Sequence, residues 1–187
     1  MARKKQYNEE EVIEKATDLF WRNGYEATTV RMLEKEMGIN QFSIYSSFGN
    51  KQGVFLQCLD TYKRRIRSIT HKLENSKNSL KGIERFFYDF LEFVREDKSF
   101  KGCLVTNTVN ELKEDTDPLL RDELGQFVIH MKRLFVNNLS QDPDKTPELI
   151  DKQGDYLLNC LLGLSVSSKL YDQQKLKGII EITFMNL

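Results

Sequence analysis

Thr28-Thr29-Val30-Arg31-Met32-Leu33-Glu34-Lys35-Glu36-Met37-Gly38-Ile39-Asn40-Gln41-Phe42-Ser43-Ile44-Tyr45-Ser46-Ser47-Phe48 reads as two short helices with a tight turn between them. Thr29 suits an N-cap, because its hydroxyl can accept from an orphan amide of the first turn. Val30, Leu33 and Met37 then follow at +3 and +4, an apolar stripe of helical period. Gly38 comes straight after the last of them, where a helix can end in the left-handed region. Asn40 is the second cap, and Ile44 and Phe48 carry the next stripe. Gln41, Phe42, Ser43, Tyr45, Ser46 and Ser47 fall off that buried side. A two-turn helix with small hydrogen-bonding groups outward is what a DNA major groove accepts. Two short helices that merely close a bundle would give the same spacing, so the neighbouring residues have to decide.

Those neighbours are Phe20, Gly24-Tyr25-Glu26-Ala27-Thr28-Thr29-Val30, Gly38-Ile39, Ile44-Tyr45-Ser46-Ser47-Phe48 and Lys51. Over residues 8–56 they resemble the N-terminal signature of the TetR family of transcriptional repressors. The resemblance implies a three-helix helix-turn-helix domain at residues 1–50. A long fourth helix would join it to a C-terminal helical domain, residues 51–187, for ligand binding and dimerisation. Phe42 stands where the family often has Gly, and Ser47 where it often has His. Both differences bear on the operator read and not on the fold.

On the DNA side, Gln41, Ser43 and Tyr45 are expected at base edges or nearby phosphates. Thr29, Ser46 and Lys51 are expected to hold the backbone, with Arg31 beside them. Phe42 is placed to touch a thymine methyl, the apolar group of the major groove. Charge agrees in sign. Residues 1–73 hold 13 basic and 9 acidic residues, the remainder 15 and 19. A basic N-terminal part on a neutral chain fits a polyanion partner, operator DNA. Arg3, Lys4 and Lys5 form a terminal arm, either solvated or touching phosphates.

The remaining segments read as helices, about nine in all, with no alternating strand pattern; the fold class is all-α. Asn8 caps the first helix, which Asn23-Gly24 stops. The fourth spans Lys51 to about Leu73, and Leu80 to about Glu96 is the fifth. Cys103 to Leu112 is a short sixth. Asp117-Pro118 and Thr146-Pro147 open the seventh and eighth, cap followed by Pro at the first helical position. The eighth reaches about Tyr171 and the ninth runs from Gln173 to about Met185.

Phe90, Val94, Phe127, Met131 and Tyr156, with Asn107 and Thr108 as polar groups, suit an apolar small-molecule pocket. They suit an ordinary core equally. Cys103 is either a buried small residue or, near Lys98 and Lys101 at a helix start, an activated thiol. The segment 100–108 resembles TetR relatives that sense electrophiles or oxidants, which makes a Cys103-based sensor the alternative trigger. Apolar residues cover too wide an arc of the last two helices for one buried stripe. Leu157, Leu161, Leu164, Ser168, Ile179, Ile180 and Phe184 are therefore expected at a homodimer interface, as the family resemblance also implies, unless both helices are interior.

Other classes find little support. His71 and His130 lie apart with no ligand-spaced partner, so no metal is expected. No phosphate loop or nucleophile elbow is present, so neither an enzyme nor a cofactor is expected. No apolar run approaches the ~18–20 residues of a membrane span. Three dispersed cysteines and the lack of an apolar leader point to the cytoplasm. A helical protein-interaction module is the remaining rival, and it leaves the short helix at 41–48 without a purpose. The expectation is a dimeric repressor on a palindromic operator, released by a small-molecule effector.

Overall fold

The computed structural model describes residues 7–95, 101–185 and 187. The arm Arg3–Lys5, the end of the fifth helix at Glu96, and Lys98 as a neighbour of Cys103 lie outside the described residues. Nine helices run through the described residues: α1 Glu9–Asn23, α2 Val30–Met37, α3 Gln41–Phe48, α4 Lys51–Glu74, α5 Ser79–Arg95, α6 Leu104–Val109, α7 Pro118–Leu139, α8 Pro147–Ser167 and α9 Gln173–Met185. None of them is long and apolar enough to cross a membrane.

Each of the first four helices begins at a side-chain cap. Asn8 accepts from Glu10 N–H at 2.9 Å, Thr29 from Met32 at 3.2 Å, Asn40 from Ser43 at 2.9 Å and Asn50 from Gly53 at 2.8 Å. A cap of this kind contributes about 1 kcal/mol, which is large for an eight-residue helix with few other bonds. Gly38 ends α2 at φ 71° and ψ 22°, a left-handed conformation that L side chains adopt only with strain. Gly53 serves α4 differently: a methyl group there would overlap the backbone carbonyl of Phe48. The absent side chain lets the end of α3 press onto the first turn of α4.

The core is continuous from α1 to α9. Phe20 of α1 meets Phe55 of α4 edge-on, with ring centroids 4.9 Å apart. Trp21 meets Tyr62 at 5.1 Å and 89°. Edge-to-face contacts of this kind add ~0.5–1.5 kcal/mol each beyond the area they bury. α4 thus packs on the helix-turn-helix along its N-terminal half and among α5, α6 and α7 beyond it. Its last turn is tethered by the buried Asn138 of α7, whose Nδ2 donates to the Leu73 carbonyl at 3.0 Å. The sixth helix is shorter than the 103–112 stretch suggests, and the eighth stops at Ser167. After each, the chain continues in tight hydrogen-bonded turns.

Candidate nucleic-acid interface and effector cavity

α3 is held from three sides. Its first amide, on Gln41, donates to the Glu34 carboxylate of α2 at 2.6 Å. Its last turn shares a 2.6 Å hydrogen bond between the Ser47 and Tyr7 hydroxyls, and Tyr7 also donates to the Ser43 carbonyl at 3.4 Å. Ile44 is fully buried beneath it. What remains outward is Gln41, Phe42, Tyr45 and Ser46, with Ser43 half-buried at its cap. Thr29 and Arg31 are exposed at the start of α2. These residues form one ridge fixed on a packed support, as direct reading of a groove requires.

Lys51, expected to hold the DNA backbone, has partners within the chain. Its ammonium donates to the carbonyls of Tyr25 at 2.9 Å and Glu26 at 3.4 Å, and sits 4.4 Å from the Tyr25 ring centre. A cation so engaged braces the α1–α2 turn. The same turn is gripped from the other side. The Glu111 carboxylate, just past α6, accepts from the N–H groups of Tyr25 at 3.2 Å and Glu26 at 2.7 Å. Charge-assisted bonds of this type are the stronger kind.

The second link between the two parts of the chain is Trp21. Its indole N–H donates to the Gly102 carbonyl at 2.8 Å. Beside it the Arg65 guanidinium pairs with Glu14 and Asp18 of α1. The next residue, Cys103, is 3% exposed. Its sulfur accepts from the Tyr62 hydroxyl at 3.0 Å, and its amide donates to Ser165 Oγ at 2.9 Å. Burial holds the Tyr62 phenol well above its ordinary pKa, so it remains a donor. Burial likewise pushes the Cys58 thiol up to about 12.

Trp21 and Glu111 are the linking residues that sequence patterns missed. A buried indole needs a partner for its N–H, and the only tryptophan of the chain sits beside an apolar stripe. That was the available signal for Trp21. Glu111 offers none, since its partners are backbone groups 85 and 86 residues away.

The expected pocket residues divide. Phe90, Cys103, Phe127 and Met131 line one apolar cavity together with Ile66, Val105 and Leu158. It measures about 10 Å³, room for about one water. Val94 faces a separate open cleft with Trp21 and Arg65. Thr108 faces a polar cleft of about 300 Å³ with Lys51 and Glu111. Asn107 is engaged at the surface, donating to the Lys101 carbonyl at 2.8 Å and accepting from Lys169 at 2.6 Å. Tyr156 is exposed on the outer side of α8.

The expected interface residues divide as well. Leu157, Leu161, Leu164, Ser168 and Ile180 are buried within the chain's own core, and Phe184 packs on Phe87 with ring centroids 5.1 Å apart. Of that set only Ile179 is exposed. The apolar surface these helices leave open comes instead from Leu149, Tyr156, Val166, Ile179, Ile182 and Met185. Among the described residues no group of three or more His, Cys, Asp or Glu could hold a metal ion.

Residues 12–58 match a family model described as bacterial regulatory proteins, tetR family. Among curated proteins the chain is 26% identical over 112 residues to the uncharacterized HTH-type transcriptional regulator YezE of Bacillus subtilis strain 168. That match spans 59% of this chain and 58% of YezE. It is 24% identical over 173 residues to the HTH-type transcriptional repressor ComR of Escherichia coli K12, spanning 89% of this chain and 82% of ComR. Among solved structures, a cysteine mutant of the TetR family transcriptional regulator CifR, complexed with 26bp double-strand operator DNA, superposes with a TM-score of 0.88. There the identity is 22%, with 98% of both chains covered. The nine-helix fold is therefore the one CifR has.

Proposed function

We propose that the chain, whose residues 12–58 match the family model of bacterial regulatory proteins, tetR family, is a repressor of that family that occupies a palindromic operator as a dimer until a small molecule releases it. The observation that supports this best is α3: an exposed ridge of Gln41, Phe42, Tyr45 and Ser46 on a helix tied down at both ends. Residues 1–50 are the DNA-reading unit, and residues 51–187 bind the effector and pair with a second copy. The protein works in the cytoplasm, as a regulator and not as an enzyme.

Two copies join through the outer side of α8 and α9. Gly163 supports this assignment, because it lies inside α8 with open space where a side chain would stand. Within one chain it only costs helix stability, roughly 1 kcal/mol relative to Ala. A partner helix crossing there gains close approach from it.

Release runs through the junction. An apolar effector entering between α4, α5, α6, α7 and α8 has to push apart a cavity with room for about one water. The wall that yields includes Cys103 and Val105, whose neighbours Gly102 and Glu111 hold Trp21 and the α1–α2 turn. The signal thus enters α1 directly, while the far end of α4 is held by Asn138 of α7. A preference of ~1–3 kcal/mol for the displaced state changes operator affinity roughly 5–150-fold.

A second trigger has one observation in its favour: the Cys103 sulfur lines that same cavity and is part of the junction. Covalent modification there would act on the same bonds, although burial restricts access. The deciding experiment is enrichment of bound duplexes from a random library, followed by anisotropy titrations across salt. A repressor gives one palindromic consensus and affinity that falls steeply with salt. Absence of enrichment sinks the assignment.

A further inference from the structure

α3 carries no charge. From Gln41 to Phe48 it has no Arg, Lys, His, Asp or Glu. The commonest specific contact to DNA, Arg or Lys on guanine O6 and N7, is therefore not available from this helix. In its place stands Phe42, 81% exposed, the most exposed large apolar side chain of the described residues. Its position is fixed, since Asn40 caps the helix two residues ahead and Glu34 holds the adjacent Gln41 amide. Tyr45, 40% exposed, lies at +3 on the same face.

An apolar ring kept in water on a polar helix is unfavourable until something covers it. Along the base edges of the major groove the apolar group is the C5 methyl of thymine. Gln41, the neighbour of Phe42, has adenine N6 and N7 as its natural bidentate partner. Both preferences select A·T pairs.

We propose that α3 reads an A·T-centred half-site through thymine methyl groups, with Phe42 as the specificity-determining residue and Gln41 reading an adjacent adenine. This rests on the DNA-binding role proposed above and names the bases that role recognises.

The experiment starts from a duplex selected from the random library. Each thymine is replaced singly by deoxyuridine, which removes only the methyl group. At one or two positions of each half-site, wild-type affinity should fall roughly fourfold per methyl. That factor is ~0.8 kcal/mol per buried carbon group converted at 1.4 kcal/mol per tenfold. Replacing that T·A pair by C·G should weaken binding, and 5-methylcytosine should restore about the same fourfold. Phe42→Ala should be weaker on the selected duplex and indifferent to uracil at that position. Sequence-specific, salt-dependent binding that ignores every uracil overturns the methyl reading and leaves the repressor role standing. Half-sites that require guanine opposite α3 do the same. If no sequence is enriched, both fall. The uracil scan uses only the wild-type protein, so it stands however Phe42→Ala behaves.

Discussion

The indole N–H of Trp21 donates to the carbonyl of Gly102 at 2.8 Å, which ties the first helix of the DNA-reading unit to the residue ahead of Cys103. Trp21 is the only tryptophan of the chain, so its emission reports that junction alone. Trp21→Phe keeps an aromatic ring and leaves the buried Gly102 carbonyl without its donor, at a cost of ~1–3 kcal/mol. Urea unfolding should show that loss. In the wild type, effector addition should shift the emission in step with operator release, and release with unchanged emission would place the signal elsewhere.

Glu111 should matter more for coupling than for folding. Glu111→Ala takes the partner from two amides at the α1–α2 turn, and hydrogen bonds to charged groups contribute about 1.5–3 kcal/mol. Hydrogen exchange at Tyr25 and Glu26 should quicken while α8 and α9 stay as protected as before. Unchanged exchange at both amides would mean that Lys51 alone holds the turn.

At Cys103 the two triggers separate. Cys103→Ser keeps an acceptor for the Tyr62 hydroxyl, and its urea midpoint should stay close to that of wild type. Cys103→Ala leaves that buried O–H without its acceptor and should lose ~1–3 kcal/mol. A quinone or peroxide that releases wild type from the operator but spares Cys103→Ser identifies the thiol as the sensor. Equal response of the two proteins assigns release to non-covalent occupancy of the cavity.

Stability should decline in alkali. The folded-state pKa values of Cys58 and Tyr62 are both raised by burial, so the folded chain keeps protons the unfolded chain gives up. The sign follows: this stability is fully present below the unfolded values and is lost as pH rises toward the folded ones. For Cys58 the window opens at 9.0 and closes at about 12. Thermal melts across that window should fall steadily, and Cys58→Ser should flatten the decline. A melting temperature independent of pH above 9 would contradict the burial of both groups.

Dimerisation is best tested on residues the chain does not already bury. Val166→Glu and Ile179→Glu alter exposed positions and should give folded monomers in sedimentation, with operator affinity reduced. Leu161→Glu, by contrast, places a charge in the core and should unfold the chain, because an unpaired buried charge costs several kcal/mol. Full dimerisation of both exposed variants would move the interface off α8 and α9.

Helix starts were legible because each is a local event. Asn8, Thr29, Asn40, Asn50, Asp117 and Thr146 all cap as their side chains suggest. The two short helices and the turn between them followed from spacing for the same reason, and the residues around them carried the helix-turn-helix reading. The inward face of α8 did not, because its apolar residues cover so wide an arc that periodicity gives no single direction. Leu157 and Leu161 turned in while Tyr156 and Val166 stayed out, a choice made by α7 and α5 packing against it. The intrachain partners of Lys51 were hidden for a related reason. A lysine's reach says nothing of whether a carbonyl or a phosphate lies at its end.

Glu111 recognises residues 25 and 26 by their amide N–H groups and by nothing on their side chains. Any residue but proline presents that group. Residues 25 and 26 can therefore drift in sequence without losing their grip on the other half, provided Gly24, pressed against the same carboxylate, stays glycine. A graft of foreign residues 1–50 onto this chain would inherit its effector response so long as Glu111 stays, the turn keeps its backbone path and a tryptophan stands at position 21 to meet Gly102. New operator specificities could then arise by exchange of the reading unit alone, under an unchanged chemical input.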